Sequence, residues 1–201
     1  MPHDDALRRL RDLIGARRPA RAARSPLSRE AAVALVLRRS PELELLLIHR
    51  ADKAGDPWSG HMALPGGRRE PGDVSLADTA MRETEEETGI PLARVGELWG
   101  PLDEVGPATR RLPPIIIAPF VALVPAGTAA HPSPAEVQAA WWVPLTALRD
   151  ADAMGEILIE LEGAPRAFPS IRWEERDIWG LTLRILEDFL KMADAAGVLA
   201  G

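Results

Sequence analysis

Three glutamates, Glu83, Glu86 and Glu87, stand at i, i+3 and i+4 in the stretch RETEEETGI (82–90). On a helix those spacings share one face. Glu83 and Glu87 lie about one turn apart, roughly 6 Å of rise. Carboxylates crowded in this way repel each other, so something should compensate. A hard divalent cation is one compensator, since Mg²⁺ takes oxygen ligands and commonly keeps several waters plus substrate phosphate oxygens. Arg82 is another: it precedes Glu86 by four residues and could neutralise one carboxylate. The plain alternative is a solvated acidic face, the ordinary meaning of three helical glutamates. Two neighbours weigh against it. Gly66 and Gly67 follow a short apolar segment, where backbone can approach a ligand closely. Gly89 stands where a helix stop belongs.

The elements that must position these residues are partly legible. The pattern predicts a helix over 75–88, with Ala77, Ala80, Met81, Thr84 and Thr88 as the small or apolar side that packs on a sheet. Two strands, 31–39 and 42–50, are joined at Ser40-Pro41, and the first is apolar enough to be buried on both faces. Residues 51–61 and 106–114 read as polar loops, and 95–105 as a strand followed by a loop. Residues 115–124 read as a strand that Pro119 breaks or marks with a bulge. Segment 133–148 joins a turn, a strand around Trp141-Trp142-Val143 and a short helix after Pro144, while 155–163 looks like one arm of a hairpin. Residues 176–197 have helical periodicity through Ile178, Leu181, Ile185, Leu186 and Phe189. Neither strict βαβ alternation nor an all-β pattern fits.

Length and charge bound the class. The 201 residues suit one well-packed domain, with 46% hydrophobic and 27% charged residues. Residues 1–24 carry seven arginines against three aspartates, a net +4, which leaves −10 on the rest of a chain whose net charge is −6. Such a basic arm could meet an anionic surface. The plainer reading is a solvated amphipathic helix over 4–15, with Leu7, Leu10, Leu13 and Ile14 at spacings of three and four. An acidic body argues against broad nucleic-acid binding. No apolar run approaches the roughly 20 residues of a membrane span. The first residues resemble neither a signal peptide nor a transit peptide. There is no cysteine, so disulfides, thiolate nucleophiles and Cys-ligated zinc are excluded, and a cytoplasmic setting is expected.

The window GGRREPGDVSLADTAMRETEEETGI (66–90) resembles the Nudix box, G-x5-E-x7-R-E-U-x-E-E-x-G-U, in which U is apolar. The second half fits closely, from Arg82 to Ile90. Three departures are local. Gly67 to Arg82 is one residue longer than the general pattern, the mid-box glutamate becomes Asp73 with Glu70 nearby, and Thr84 occupies a usually apolar position. The resemblance implies an α/β/α sandwich around a mixed β-sheet, with 1–28 as a basic helix and linker and 29–201 as the hydrolase domain. It implies Mg²⁺- or Mn²⁺-dependent hydrolysis of a small-molecule diphosphate. The acidic body and the lack of a membrane-length apolar run give no expectation of a nucleic acid or membrane partner, and a homodimer is possible. By position Glu83 and Glu87 look like the principal metal ligands and Glu86 an additional one. Arg82 would orient the cluster, and Gly67 would shape the loop entering the helix. The chemistry is coherent: the cation neutralises the diphosphate and acidifies a water for in-line attack, and a carboxylate accepts the proton. Glu104 and Glu136 are candidates for a proton acceptor outside the box, although each also reads as structural.

The lengthened box resembles the coenzyme A pyrophosphatase branch, as do segments 45–67, 135–148 and 178–186. That resemblance implies release of 3′,5′-ADP and 4′-phosphopantetheine. One departure bears on it. The branch carries a second arginine after the one matching Arg50, whereas here Lys53 and Asp56 follow in a loop one residue longer. Lys53 can serve as a point charge but not as a bidentate clamp. Arg110 and Arg111 could meet a 3′-phosphate or be plain loop charges, and Trp58 could stack on a base or cap the core. Other nucleoside diphosphate derivatives, such as ADP-ribose or dinucleotides, remain alternatives, as does a non-catalytic nucleotide-binding module. His49, His61 and His131 form no metal-ligand pattern, and Ser59 lacks a G-x-S-x-G frame.

Overall fold

The computed structural model describes residues 2–52, 59–106, 114–161 and 163–199. Lys53, Trp58, Arg110 and Arg111 therefore lie outside the described residues. Helix α1 (Pro2–Ala16) leads into strands β1 (Arg29–Arg39), β2 (Leu43–Arg50), β3 (Met62–Ala63) and β4 (Gly66–Arg68). Helices α2 (Leu76–Thr88) and α3 (Leu92–Val95) follow, then β5 (Glu97–Pro101), β6 (Ile115–Leu123) and β7 (Val137–Pro144). Helix α4 (Leu145–Arg149) precedes β8 (Met154–Leu161), β9 (Ala164–Trp173) and β10 (Arg176–Trp179), and α5 (Gly180–Ala195) closes the fold.

The larger sheet is mixed, in the order β3-β2-β1-β6-β5, with β4 also on β1 and β7 also on β2. Strands β1 and β6 are parallel, and the other pairs are antiparallel. Strand β1 is buried on both faces, because its side chains alternate between two cores. Leu35 and Leu37 join Leu45, Leu47, Val121 and Val143 under α1, α4 and α5, where Leu10, Ile14, Leu186 and Phe189 are buried. Ala32, Ala34 and Val36 face the other way and meet Ala80 of α2, with Leu46, Ala122, Ile90 and Leu92. The small side chains on that second face seat α2 close to the sheet. Each fully buried leucine or phenylalanine contributes about 1.5–3 kcal/mol of transfer free energy.

Helix α1 is not a free arm: Leu10 and Ile14 share a core with Phe189 of α5, and only Leu13 of the expected apolar stripe turns outward. Strand β6 runs unbroken through Pro119. The register shift lies in β5, between Leu98 and Gly100. The C-terminal helix begins later than its periodicity indicates. Residues 176–179 form β10, paired with β9, and β8, β9 and β10 make a second, antiparallel sheet. Pro165 and Pro169 in β9 disguise that strand in the sequence. At both positions β9 is flanked by β8 alone, so each ring can face the unpaired side. No helix among the described residues is long and apolar enough to cross a membrane.

Candidate active site

Helix α2 begins where the sequence places its signals. Ser75 is the N-cap, and a capping box joins it to Asp78 in both directions. Gly89 ends the helix in the left-handed conformation at φ 69°, its N–H donating to the carbonyl of Glu85. Thr84 is fully buried and its hydroxyl donates to the Ala80 carbonyl at 2.7 Å. Thr88 does the same to Thr84 at 2.6 Å. The threonine at a usually apolar box position is thus satisfied within its own helix.

Arg82 organises the acidic face, and all five of its N–H donors are used. Nε and Nη2 hold the two oxygens of Asp73, both at 3.0 Å. Nη1 donates to Glu83 Oε1 at 3.0 Å and Glu86 Oε2 at 2.9 Å, and Nη2 also reaches the Arg68 carbonyl at 3.1 Å. Asp73 accepts further bonds from the Glu70 N–H and the Thr79 hydroxyl, both at 2.9 Å. The Arg82 guanidinium, reinforced by the Glu70 N–H, holds the Asp73 carboxyl well below the usual carboxylate range. Hydrogen bonding to Asp73 correspondingly raises the Arg82 guanidinium. Asp73 stands at the mid-box position counted from Gly67, with the extra residue of the box falling between it and Arg82.

Glu83 and Glu87 sit in a different environment. Glu87 is 2% exposed, and burial pushes its carboxyl up to about 8. The Gly66 N–H, donating to Oε2 at 2.8 Å, and Arg50, at 3.7 Å from Oε1, pull in the other direction. Neighbouring Glu83 and Glu136 add to the rise. Burial also raises Glu83, against the pull of Arg82 and with a push from Glu86 and Glu136. The paired glycines are fitted to this pocket. A Cβ on Gly67 would lie 2.4 Å from Glu83 Cδ. Gly66 has φ 155°, and a Cβ there would meet the Ala32 carbonyl at 2.3 Å.

The geometry brings Glu83, Glu86, Glu87, Arg82, Gly67 and Arg50 together around one end of α2. It adds Glu136 to their electrostatic neighbourhood and removes Glu104. The Glu104 carboxylate is instead bonded by Arg21, Arg24 and the Ala22 N–H, away from the box. His49 bonds the Gly60 carbonyl at 2.9 Å, and His131 N–H donates to the Thr88 carbonyl. The Arg50 N–H donates to the His61 carbonyl at 3.1 Å. The His61 ring meets Trp179 at 4.8 Å and Trp179 meets Phe168 at 5.5 Å, so a half-buried aromatic row starts beside Arg50. Trp179 is missed by the sequence reading because its segment was assigned to the last helix. Thr79 is missed as well, and no local signal marks it.

A carboxylate-bearing helix laid on a mixed sheet, inside an α/β sandwich, is the class of architecture seen here. A NUDIX domain model matches residues 28–161. The Nudix hydrolase NudL of Yersinia pestis (strain Pestoides F) is 34% identical over 162 residues, which is 81% of this chain and 78% of that protein. NudL of Yersinia pseudotuberculosis (serotype O:1b) matches to the same extent. The crystal structure of a MutT/nudix family protein from Enterococcus faecalis superposes with a TM-score of 0.53 at 18% identity, covering 86% of this chain and 65% of that one, a likeness of fold. The chain belongs to the Nudix family and is a Nudix hydrolase.

Proposed function

We propose that this hydrolase is a divalent-cation-dependent pyrophosphohydrolase whose substrate is coenzyme A or a derivative. Water adds across the P–O–P linkage, giving 3′,5′-ADP and 4′-phosphopantetheine. The observation that carries the reading is the pair formed by the half-buried Glu83 and the buried Glu87. Burial raises both carboxyls, and Glu136 stands beside both. Such a site is short of positive charge, and its donors are the hard oxygens that Mg²⁺ or Mn²⁺ takes. Among the described residues no three acidic or imidazole side chains already converge on one point. Arg82 holds Glu83 and Glu86, while Gly66 and Arg50 hold Glu87. Loading therefore requires side-chain rotation toward a common ion, with Glu83 and Glu87 as principal ligands and Glu86 as an additional one.

A cation held there supplies charge neutralisation at the diphosphate and an acidified water. The chain's own residues do the rest. Arg82 orients the carboxylates, Gly67 leaves room for Glu83, and Arg50 faces the cluster to bind a phosphate oxygen. Glu136, exposed on the loop before β7 and close to the pair, is placed to accept the proton. The aromatic row from His61 to Phe168 offers a wall for the organic part of the substrate. The coenzyme A assignment is supported by the lengthened box and by segments 45–67, 135–148 and 178–186, with Arg110 and Arg111 to meet the 3′-phosphate. One observation favours a second reading. Lys53 stands where the branch carries a phosphate-clamping arginine, which suits ADP-ribose or dinucleotides lacking that extra phosphate. The retained glutamates argue against a purely binding role.

The test is incubation with Mg²⁺ or Mn²⁺ and coenzyme A, acyl-coenzyme A, ADP-ribose, NADH and diadenosine polyphosphates, with products identified by mass. Preferential release of 3′,5′-ADP is the expected result. Cleavage of another member alone transfers the assignment to the second reading. An intact panel overturns the catalytic one.

A further inference from the structure

Residues 17–28 form no helix or strand, yet they are fastened at successive points. Arg17 pairs with Asp103 at 2.6 Å, and the Ala20 N–H donates to Asp103 Oδ1 at 2.7 Å. The Ala20 carbonyl accepts from the Glu104 N–H at 3.0 Å, and the Ala22 N–H donates to Glu104 Oε2 at 2.9 Å. Arg24 then grips both oxygens of the buried Glu104 carboxylate, each at 2.9 Å. Burial pushes Glu104 up, but Arg24 and the Ala22 N–H overrule it and hold the carboxyl below its ordinary value.

The contacts continue into the box. Arg24 Nη2 reaches Glu30 Oε1 at 3.3 Å, and Arg69 Nη1 donates to the other Glu30 oxygen at 3.0 Å. The Arg69 N–H bonds the Glu30 carbonyl, also at 3.0 Å. Arg69 Nη2 then donates to the backbone carbonyls of Asp73, at 3.3 Å, and Val74, at 3.2 Å. That turn presents the Asp73 carboxylate to Arg82, and Arg82 holds Glu83 and Glu86. Charge-assisted hydrogen bonds, continued through the backbone of the Asp73 turn, thus join the N-terminal strap to the acidic face of α2.

Isolated exposed ion pairs contribute little. Here Glu104 and Asp73 are 5% and 6% exposed at the side chain, two of the grips are bidentate, and Arg24, Glu30 and Arg69 each have more than one partner. Such linked sets act as a unit. We infer that Arg24, Glu30 and Arg69 are positioning residues, through which the N-terminal strap holds the Asp73 turn and Arg82 so that the box glutamates are set for cation binding. The inference rests on the cation site proposed above. A strap that serves stability alone would shift the melting temperature and leave cation affinity untouched.

The test titrates Mn²⁺ alone into the full chain and reads free Mn²⁺ by its electron paramagnetic resonance signal, with melting temperatures alongside. Variants are Glu30→Gln, Arg69→Ala, their combination, Arg24→Lys, and Glu87→Gln as the reference for the site itself. Glu30→Gln and Arg69→Ala are each expected to weaken Mn²⁺ binding about threefold to tenfold, somewhat less than direct partners of metal ligands do. The combined variant should be no weaker than the worse single one, because both cut the same series. Arg24→Lys keeps the charge but loses the bidentate grip, so it should move affinity in the same direction with the least disturbance of the fold. Wild-type affinity in Glu30→Gln, Arg69→Ala and Arg24→Lys, with binding lost in Glu87→Gln, would overturn the positioning role and leave the site standing. Wild-type affinity in Glu87→Gln would overturn the cation site and the positioning role with it.

Discussion

Asp73 and Glu87 are carboxylates of one short window, both nearly buried, and their surroundings drive them in opposite directions. Asp73 meets a guanidinium head-on and also accepts from an N–H and a hydroxyl, so it stays ionised at any ordinary pH. Glu87 is buried deeper, receives one N–H and a longer approach from Arg50, and faces two further carboxylates; its burial above all pushes the carboxyl up to about 8. The difference separates a scaffold from a site. A fully compensated carboxylate fixes geometry, whereas an under-compensated one awaits a positive charge.

The sharpest way to break the comparison is to exchange the carboxylates for amides. Glu83→Gln and Glu87→Gln are each expected to lower kcat by more than about 100-fold on whichever panel member is cleaved, as loss of a cation ligand does. The fold should survive, as read by circular dichroism. Asp73→Asn should behave differently. It leaves Arg82 and Thr79 donors poorly matched in a buried place, costing about 1–3 kcal/mol of stability, with a smaller, roughly 10-fold, fall in turnover. Chemical denaturation and steady-state kinetics on the same preparations separate the two behaviours.

A smaller effect concerns pH. Glu87 has a raised folded-state value, so between the ordinary glutamate range and about 8 the folded chain binds more protons than the unfolded one. Stability of the cation-free protein should therefore fall as pH rises through that window, with Arg50 moderating the fall and Glu83 and Glu136 steepening it. Asp73 acts in the opposite sense. Its contribution is present above the ordinary aspartate range and is lost only as pH falls well into acid. Melting curves of Glu87→Gln, recorded without cation, should show a shallower decline toward pH 8 than those of the wild type.

The box was readable because its signals are local: charges at helical spacing, a serine cap, a glycine stop and a glycine pair all fall within 66–90. The double-sided burial of β1 was readable for the same reason, from an unbroken apolar run. Strands β9 and β10 were not. Two prolines mask the first, and the second supplies Ile178 at a spacing that the following helix happens to continue. The grip of Arg24 on Glu104 spans 80 positions and leaves no periodic trace, so only the folded chain reveals it. Asp73 could be matched by position, but its simultaneous hold on Arg82 and Thr79 depends on how the turn before α2 closes.

The most direct measurement counts protons as the cation binds. Mg²⁺ or Mn²⁺ is titrated calorimetrically into the full chain at pH 7, in buffers of different ionisation enthalpy. If Glu87 is a ligand that burial holds protonated, binding should release on the order of one proton per ion, and the release should vanish well above pH 8. In Glu87→Gln both the release and most of the affinity should be lost. Equal affinity and equal proton release in wild type and Glu87→Gln would contradict the assignment of the box glutamates as the cation site.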